Sequence, residues 1–203
     1  MRERWYDLKI VSVRAARSRG YITVTVASSE EEKKSLTVSE EDYSTAGSPM
    51  ARDEIGNREY LILLSSDEYY RARLSALRIL SYGDNNEKSL IRKLTAKGIS
   101  RDRAEAVAHE MTSLGYINER KQLSNIITKE ANITLTGPRK IRAKLLAKGY
   151  KSADISVTID ELVYSGEIDF ERSAELLVSK KLTRGATDDE KKALLYKMGY
   201  NIC

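Results

Sequence analysis

A short word that recurs at a fixed spacing constrains this chain more than any other feature. Lys93-Leu94-Thr95-Ala96-Lys97-Gly98-Ile99 returns fifty-one residues later as Lys144-Leu145-Leu146-Ala147-Lys148-Gly149-Tyr150. A blurred copy, Leu194-Leu195-Tyr196-Lys197-Met198-Gly199-Tyr200, follows after fifty more. A second word keeps step with the first: Leu114-Gly115-Tyr116-Ile117-Asn118, then Ser165-Gly166-Glu167-Ile168-Asp169. Two words repeating in the same order and at the same offset point to an array of supersecondary units, each burying its apolar face against its neighbours.

The apolar spacing gives the units a helical content. In the first, Tyr70, Leu74, Leu77 and Leu80 fall on one face, and Ser65-Ser66-Asp67-Glu68 has the spacing of a capping box at the helix start. A second helix over about 86–97 buries Leu90, Ile91 and Leu94 and stops at Gly98. A third, capped by Ser100, turns Ala104, Val107, Ala108 and Met111 inward. The second unit follows the same plan. Leu123, Ile126 and Ile127 line its first helix, and Ile141, Leu145 and Leu146 its second, which Gly137-Pro138 opens. Ile155, Ile159, Leu162 and Val163 line its third, with Ser152 as cap. The third unit has Phe170, Ala174 and Leu177, then a capping box at Thr187 before Leu194, Leu195 and Met198; Cys203 falls where its last helix should begin.

Upstream the period changes to two. Leu8 to Val13 and Tyr21 to Val26 read as strands around the corner Arg17-Ser18-Arg19-Gly20, and Leu36-Thr37-Val38 as a third strand before a helical turn capped by Ser39. Glu30-Glu31-Glu32 with Lys33-Lys34 reads as a solvated loop, and residues 57–64 fit either a strand or a helix. The expected fold is therefore mainly α: tandem three-helix repeats, two complete and a third truncated, behind a small β-rich N-terminal domain. The expected boundaries are 1–64 for the β-rich domain, 65–118 and 119–168 for the full repeats, and 169–203 for the truncated one.

Charge separates the two parts. Residues 1–71 hold 11 Lys and Arg against 13 Asp and Glu, a net of −2; residues 72–203 hold 24 against 17, a net of +7, so the repeats carry the basic character behind the chain's net +5. A basic array suits an anionic partner. Between Lys129 and Lys151 there are Arg139, Lys140, Arg142, Lys144 and Lys148 against the single carboxylate Glu130. Lys140, Lys144 and Lys148 recur every four residues and share a helix face. We expect Arg139, Lys140, Arg142, Lys144, Lys148 and Lys151 to form a contact surface, extended by Arg92, Lys93 and Lys97. The bland alternative is a solvated lysine-rich helix.

Catalytic signatures are missing from the sequence. No P-loop or dinucleotide fingerprint occurs, and the one histidine, His109, has no second histidine four residues after it. We expect no enzyme, cofactor or metal, no small-molecule substrate and no membrane association. The one cysteine and a first segment without a signal-peptide core lead us to expect a cytoplasmic protein. A helix-turn-helix DNA reader is a rival reading. The helix after the turn in the second unit, however, carries Asp154, Asp160 and Glu161 and no Lys or Arg, which suits a reading helix poorly.

Together the Leu-x-Ala-Lys-Gly word, the Leu-Gly-Tyr-Ile-Asn junction, the tandem three-helix units and Gly137-Pro138-Arg139-Lys140-Ile141 resemble the RecX family of bacterial recombination regulators, from about residue 67 onward. The resemblance implies a protein that binds the RecA recombinase, lodges in the groove of the RecA–DNA filament and damps its activities, meeting DNA directly or through the filament. It supplies no catalytic residue. The first repeat departs from the pattern, with Asn86-Glu87-Lys88 in place of Gly-Pro-Arg. A helical DNA-binding module acting without RecA, and a scaffold for another partner, remain alternatives.

Overall fold

The structure, a computed structural model, describes residues 8–27 and 33–201. The Glu30-Glu31-Glu32 stretch lies outside the described residues. Contacts group the chain into two compact units: residues 1–81 with 97–107, and residues 82–96 with 108–203.

In the first unit, strands β1 (Leu8–Ala15), β2 (Tyr21–Ala27) and β3 (Lys33–Ser39) are followed by helix α1 (Glu40–Thr45), the short strand β4 (Glu54–Ile55) and the long helix α2 (Asn57–Ser81). The sheet is antiparallel in the order β3-β2-β1-β4. Lys33 and Lys34 are part of β3 and pair with Ala27 and Val26, so they are not loop residues. One face of the sheet supplies the core, with Ile10, Val24, Val26, Leu36 and Val38 packed against Ala46, Ile55 and Leu63. Opposite that core Thr25 carries a polar link, its hydroxyl hydrogen-bonded to those of Ser12 and Ser35, each at 3.2 Å.

Residues 57–64 are helical, and the helix runs unbroken through Ser65-Ser66-Asp67-Glu68. The expected capping box is therefore no helix start. Its side chains do accept backbone N–H groups, but from a strand. Asp67 accepts the Thr37 N–H at 2.8 Å and Ser66 accepts that of Ser39 at 3.0 Å, so α2 satisfies the outer edge of β3. The leucine stripe is also revised. The fully buried positions beyond Leu63 are the alanines Ala72 and Ala76, while Leu74 is 45% exposed. Tyr70 turns to the sheet, its ring centroid 4.7 Å from that of Tyr21 and its hydroxyl 2.8 Å from that of Ser18.

The second unit contains α3 (Glu87–Thr95), the later part of α4 (Arg101–Ser113), and α5 (Glu119–Asn132), α6 (Pro138–Lys148), α7 (Ser152–Tyr164), α8 (Phe170–Lys181) and α9 (Asp188–Met198). The first part of α4 belongs to the other unit, where Arg103 pairs with Glu68 of α2 and also donates to the Ser65 hydroxyl. The repeat is written into the buried positions. Leu90 and Leu94 of α3 correspond to Ile141 and Leu145 of α6, while Ala104, Ala108 and Met111 of α4 correspond to Ile155, Ile159 and Leu162 of α7; all ten are buried.

Helices α5, α6 and α7 close one core around Leu123, Ile127, Ile141, Leu145, Ile155, Ile159 and Leu162. A smaller core joins Leu135, Leu177 and Tyr200 with Phe170, Leu194, Leu195 and Met198. Two expected core positions point outward: Leu146 is 49% and Val163 47% exposed. Each sits one position beyond a fully turned-in leucine, at the edge of its stripe. The cap of α7 is also revised, because Ser152 is its first helical residue and Lys151 the N-cap, with no side-chain cap bond.

Candidate functional site

The repeated Gly-Tyr word is where one repeat meets the next. Gly149 and Gly199 end α6 and α9 in the left-handed region, at φ 97° and 91°. In that conformation the chain turns sharply off the helix, at little cost for a residue without a Cβ. The following tyrosine then enters the core. Tyr200 donates its hydroxyl to the Leu135 carbonyl at 3.1 Å. Tyr150 donates to Gln122 at 2.9 Å, and Gln122 passes the bond on to the Asn85 carbonyl at 3.2 Å.

Each Gly-Tyr turn lies against the start of the corresponding helix one repeat earlier. The amide of Asn86, which caps α3, donates to the Lys148 carbonyl at 3.1 Å. Fifty-one residues on, the N–H of Gly137 donates to the Met198 carbonyl at 2.8 Å and that of Arg139 to the Gly199 carbonyl at 3.1 Å. The departure from Gly-Pro-Arg in the first repeat thus has a physical counterpart. One joint is bridged by an asparagine side chain, the other by the backbone itself.

Burial pushes the Tyr200 hydroxyl up from its ordinary 10.0 to about 12. Tyr150 is raised as well, by burial first and then by the charges of Glu119 and Asp84. A folded-state value above the unfolded one means that this stability is fully present below about pH 10 and is lost as pH rises through about 12. Tyr200→Phe is expected to cost about 1 kcal/mol at neutral pH, by stranding the Leu135 carbonyl, and to flatten the alkaline fall. Urea midpoints at neutral and alkaline pH measure both effects; an unchanged alkaline fall in the variant would assign it to another group.

The cationic residues of α6 divide by face. At about 100° per residue, Lys140, Lys144 and Lys148 run down one flank of the buried Ile141–Leu145 stripe, and Arg142 takes the other. Arg142 is half-buried and donates to the Ser156 hydroxyl of α7. Arg139 is committed to the joint: its guanidinium lies 4.1 Å over the Tyr196 ring and donates to the Tyr196 carbonyl at 2.8 Å. Lys144 is paired with Glu130 of α5 at 2.7 Å. Lys93 of α3 donates to the Asn85 side chain. Lys140, Lys148, Lys151 and Arg92 are exposed and make no side-chain hydrogen bond or ion pair among the described residues. Lys97 is exposed too, but it belongs to the other compact unit.

Glu130 stands out in the sequence only as the one carboxylate among these cations; its contact across to α6 is a finding of the structure. Its side chain is only 18% exposed, and besides the Lys144 ammonium it accepts the Thr136 hydroxyl at 3.1 Å. Burial alone would raise its carboxyl, and that is the largest influence. The hydrogen bonds from Lys144 and Thr136 and the charges of Lys144 and Lys148 together outweigh it, and the carboxyl lies below the usual range. It is therefore ionised at neutral pH. Among the described residues no group of three or more His, Cys, Asp or Glu is placed to hold a metal ion. No described helix is long and apolar enough to cross a membrane.

No family model matches the chain. Individual proteins do. A regulatory protein RecX of Clostridioides difficile (strain 630) is 29% identical over 140 residues, covering 69% of this chain and 64% of that protein. A regulatory protein RecX of Stenotrophomonas maltophilia (strain K279a) is 32% identical over 114 residues, covering 56% of this chain and 67% of that protein. The chain belongs to the RecX family. It spans about two thirds of the length of these relatives. A crystal structure of a regulatory protein RecX has the same fold, with a TM-score of 0.72 over 96% of this chain and 95% of that one at 18% identity. That likeness extends over the RecX helical repeats and the N-terminal sheet alike. Family membership makes this chain a relative of proteins named as regulators.

Proposed function

We propose that this RecX-family chain regulates the RecA recombinase without catalysing a reaction, by lodging in the groove of the RecA–DNA filament and damping its activity. The reading rests on the family together with one observation: the flank of α6 presents Lys140 and Lys148, with Lys151 just beyond, as exposed ammonium groups without partners among the described residues. Glu130, the one carboxylate of this stretch, is hydrogen-bonded to Lys144 instead, so none of the three has a hydrogen bond among the described residues to break on meeting a phosphate or carboxylate. That charge is spread along the length of α6, which suits a groove better than a single closed pocket. The acidic face of α7, with Asp154, Asp160 and Glu161 exposed, disfavours a reading of base edges by that helix.

The test is the single-stranded-DNA-dependent ATPase rate of the cognate RecA, titrated with this protein at low and moderate salt. A falling rate at substoichiometric amounts supports the proposal. Replacing Lys140, Lys148 and Lys151 together by glutamine is expected to weaken filament binding by roughly tenfold or more at low salt and to flatten its salt dependence, with the melting temperature unchanged. No effect on the ATPase, with tight binding to naked duplex instead, would move the assignment to a DNA-binding module.

A further inference from the structure

We infer that Glu130 is a built-in competitor for the basic flank of α6, holding Lys144 away from the partner and setting how tightly the flank binds. The inference rests on the reading of that flank as the partner surface. Its basis is the placement of a single carboxylate. Between Lys129 and Lys151 the sequence has no other acid, so nothing else in this stretch offsets the cations. Glu130 lies on α5 and reaches across to α6, where it meets the middle lysine of the three, Lys144, at 2.7 Å. Its other oxygen accepts the hydroxyl of Thr136, a buried residue in the α5–α6 connection, so the carboxylate is held in place from a second side.

A phosphate or carboxylate approaching Lys144 has to take this ammonium from a prepositioned acceptor. It also meets like charge while it binds Lys140 and Lys148 on either side. The Lys144 end of the pair is 48% exposed and is hydrated without Glu130, so removing the Glu130 charge strands no buried cation and costs folding little. Glutamine at 130 keeps a carbonyl oxygen for Thr136 and removes only the charge. Glu130→Gln should therefore leave the fold in place while freeing Lys144 and lifting the repulsion.

The measurement is fluorescence anisotropy of the full chain titrated onto filaments of the cognate RecA on single-stranded DNA with a slowly hydrolysed ATP analogue. Glu130→Gln is expected to tighten binding about threefold to tenfold at low salt, and less as salt rises. Lys144→Gln in the otherwise natural chain should change binding by less than about twofold, because Lys144 is already engaged; in the Glu130→Gln background the same substitution should abolish the gain. A purely structural role for Glu130 would not produce that non-additivity.

Lys140→Gln/Lys148→Gln serves as the reference. If it weakens binding while Glu130→Gln does not tighten it, the competitor role is wrong and the partner surface stands. Unchanged binding of the reference variant overturns the surface, and the inference with it. Lys144→Gln tests the same point without touching Glu130, should Glu130→Gln melt early: a loss equal to that of Lys148→Gln would show Lys144 already free to bind.

Discussion

Gly137→Ala is expected to destabilise the joint between the middle repeat and the α8–α9 pair by about 3 kcal/mol, the upper part of the range for forced overpacking. The backbone of Gly137, at φ −74°, suits alanine well, so the effect is steric. An added Cβ would lie 2.4 Å from the carbonyl carbon of Gly199 and 2.4 Å from the nitrogen of Tyr200. Both are backbone atoms and cannot rotate aside. Relief requires the Gly-Tyr turn to withdraw, which breaks the bonds from Gly137 to Met198 and from Arg139 to Gly199 and draws Tyr200 out of its core.

Gly98→Ala is the control. Gly98, unlike Gly137, has positive φ, at 85°, and an added Cβ there meets nothing within 4 Å, so only the conformational strain of about 1 kcal/mol applies. Urea denaturation gives the two stabilities, and amide hydrogen exchange at Gly137 and Tyr200 reports where the opening occurs. Equal losses in the two variants would refute the packing argument.

Asp67→Ala should produce the second large effect, a loss of roughly 2–3 kcal/mol in the first unit together with self-association at high protein concentration. Asp67 is almost wholly buried, and its role is to accept the Thr37 N–H of the edge strand β3. Its other oxygen pairs with Arg71 at 2.7 Å, but that arginine side chain is 64% exposed and contributes little. Without the carboxylate a strand N–H is left unpaired beside α2, and the outer edge of β3 becomes available to another chain. Asp67→Asn keeps an acceptor oxygen and should lose about half as much. Chemical denaturation and sedimentation velocity over a concentration series separate the two consequences. A destabilised variant that remains monomeric throughout would mean that the body of α2 shields the edge without help from its side chains.

The outcome at Ser65-Ser66-Asp67-Glu68 shows where sequence patterns stop. Serine and aspartate at helix starts accept orphan N–H groups, and here they do the same for a strand brought alongside from thirty residues earlier. Local spacing records the chemistry of an acceptor and not the identity of its donor. The apolar stripes were legible for the same reason that the repeat was: Leu90, Leu94, Ile141, Leu145, Ile155 and Ile159 each face a core of their own bundle, and periodicity encodes a face.

Leu146 and Val163 lie at the edges of their stripes, which periodicity blurs, and Ala72 and Ala76 carry no strong apolar signal because close approach favours small side chains over leucine. On α6 the flank of Lys140, Lys144 and Lys148 follows from spacing four. Nothing in the spacing shows that Arg139 stacks on Tyr196 or that Glu130 reaches Lys144, since both contacts cross between helices.

The Gly-Tyr joints also bear on how such a chain lengthens or shortens over evolution. The second and third repeats each carry a plug, the glycine turn and its tyrosine, and the first and second each offer a socket, the start of the second helix, so each plug fits the socket one repeat upstream. A duplicated repeat therefore brings both halves of a new connection with it. A segment gained or lost out of phase with the fifty-residue period would leave a buried tyrosine hydroxyl without its acceptor and a glycine turn facing the wrong helix. Selection should then preserve these positions as matched sets, Gly149 with Lys88 and Gly199 with Lys140, because each glycine makes the left-handed turn and also leaves room for that neighbour.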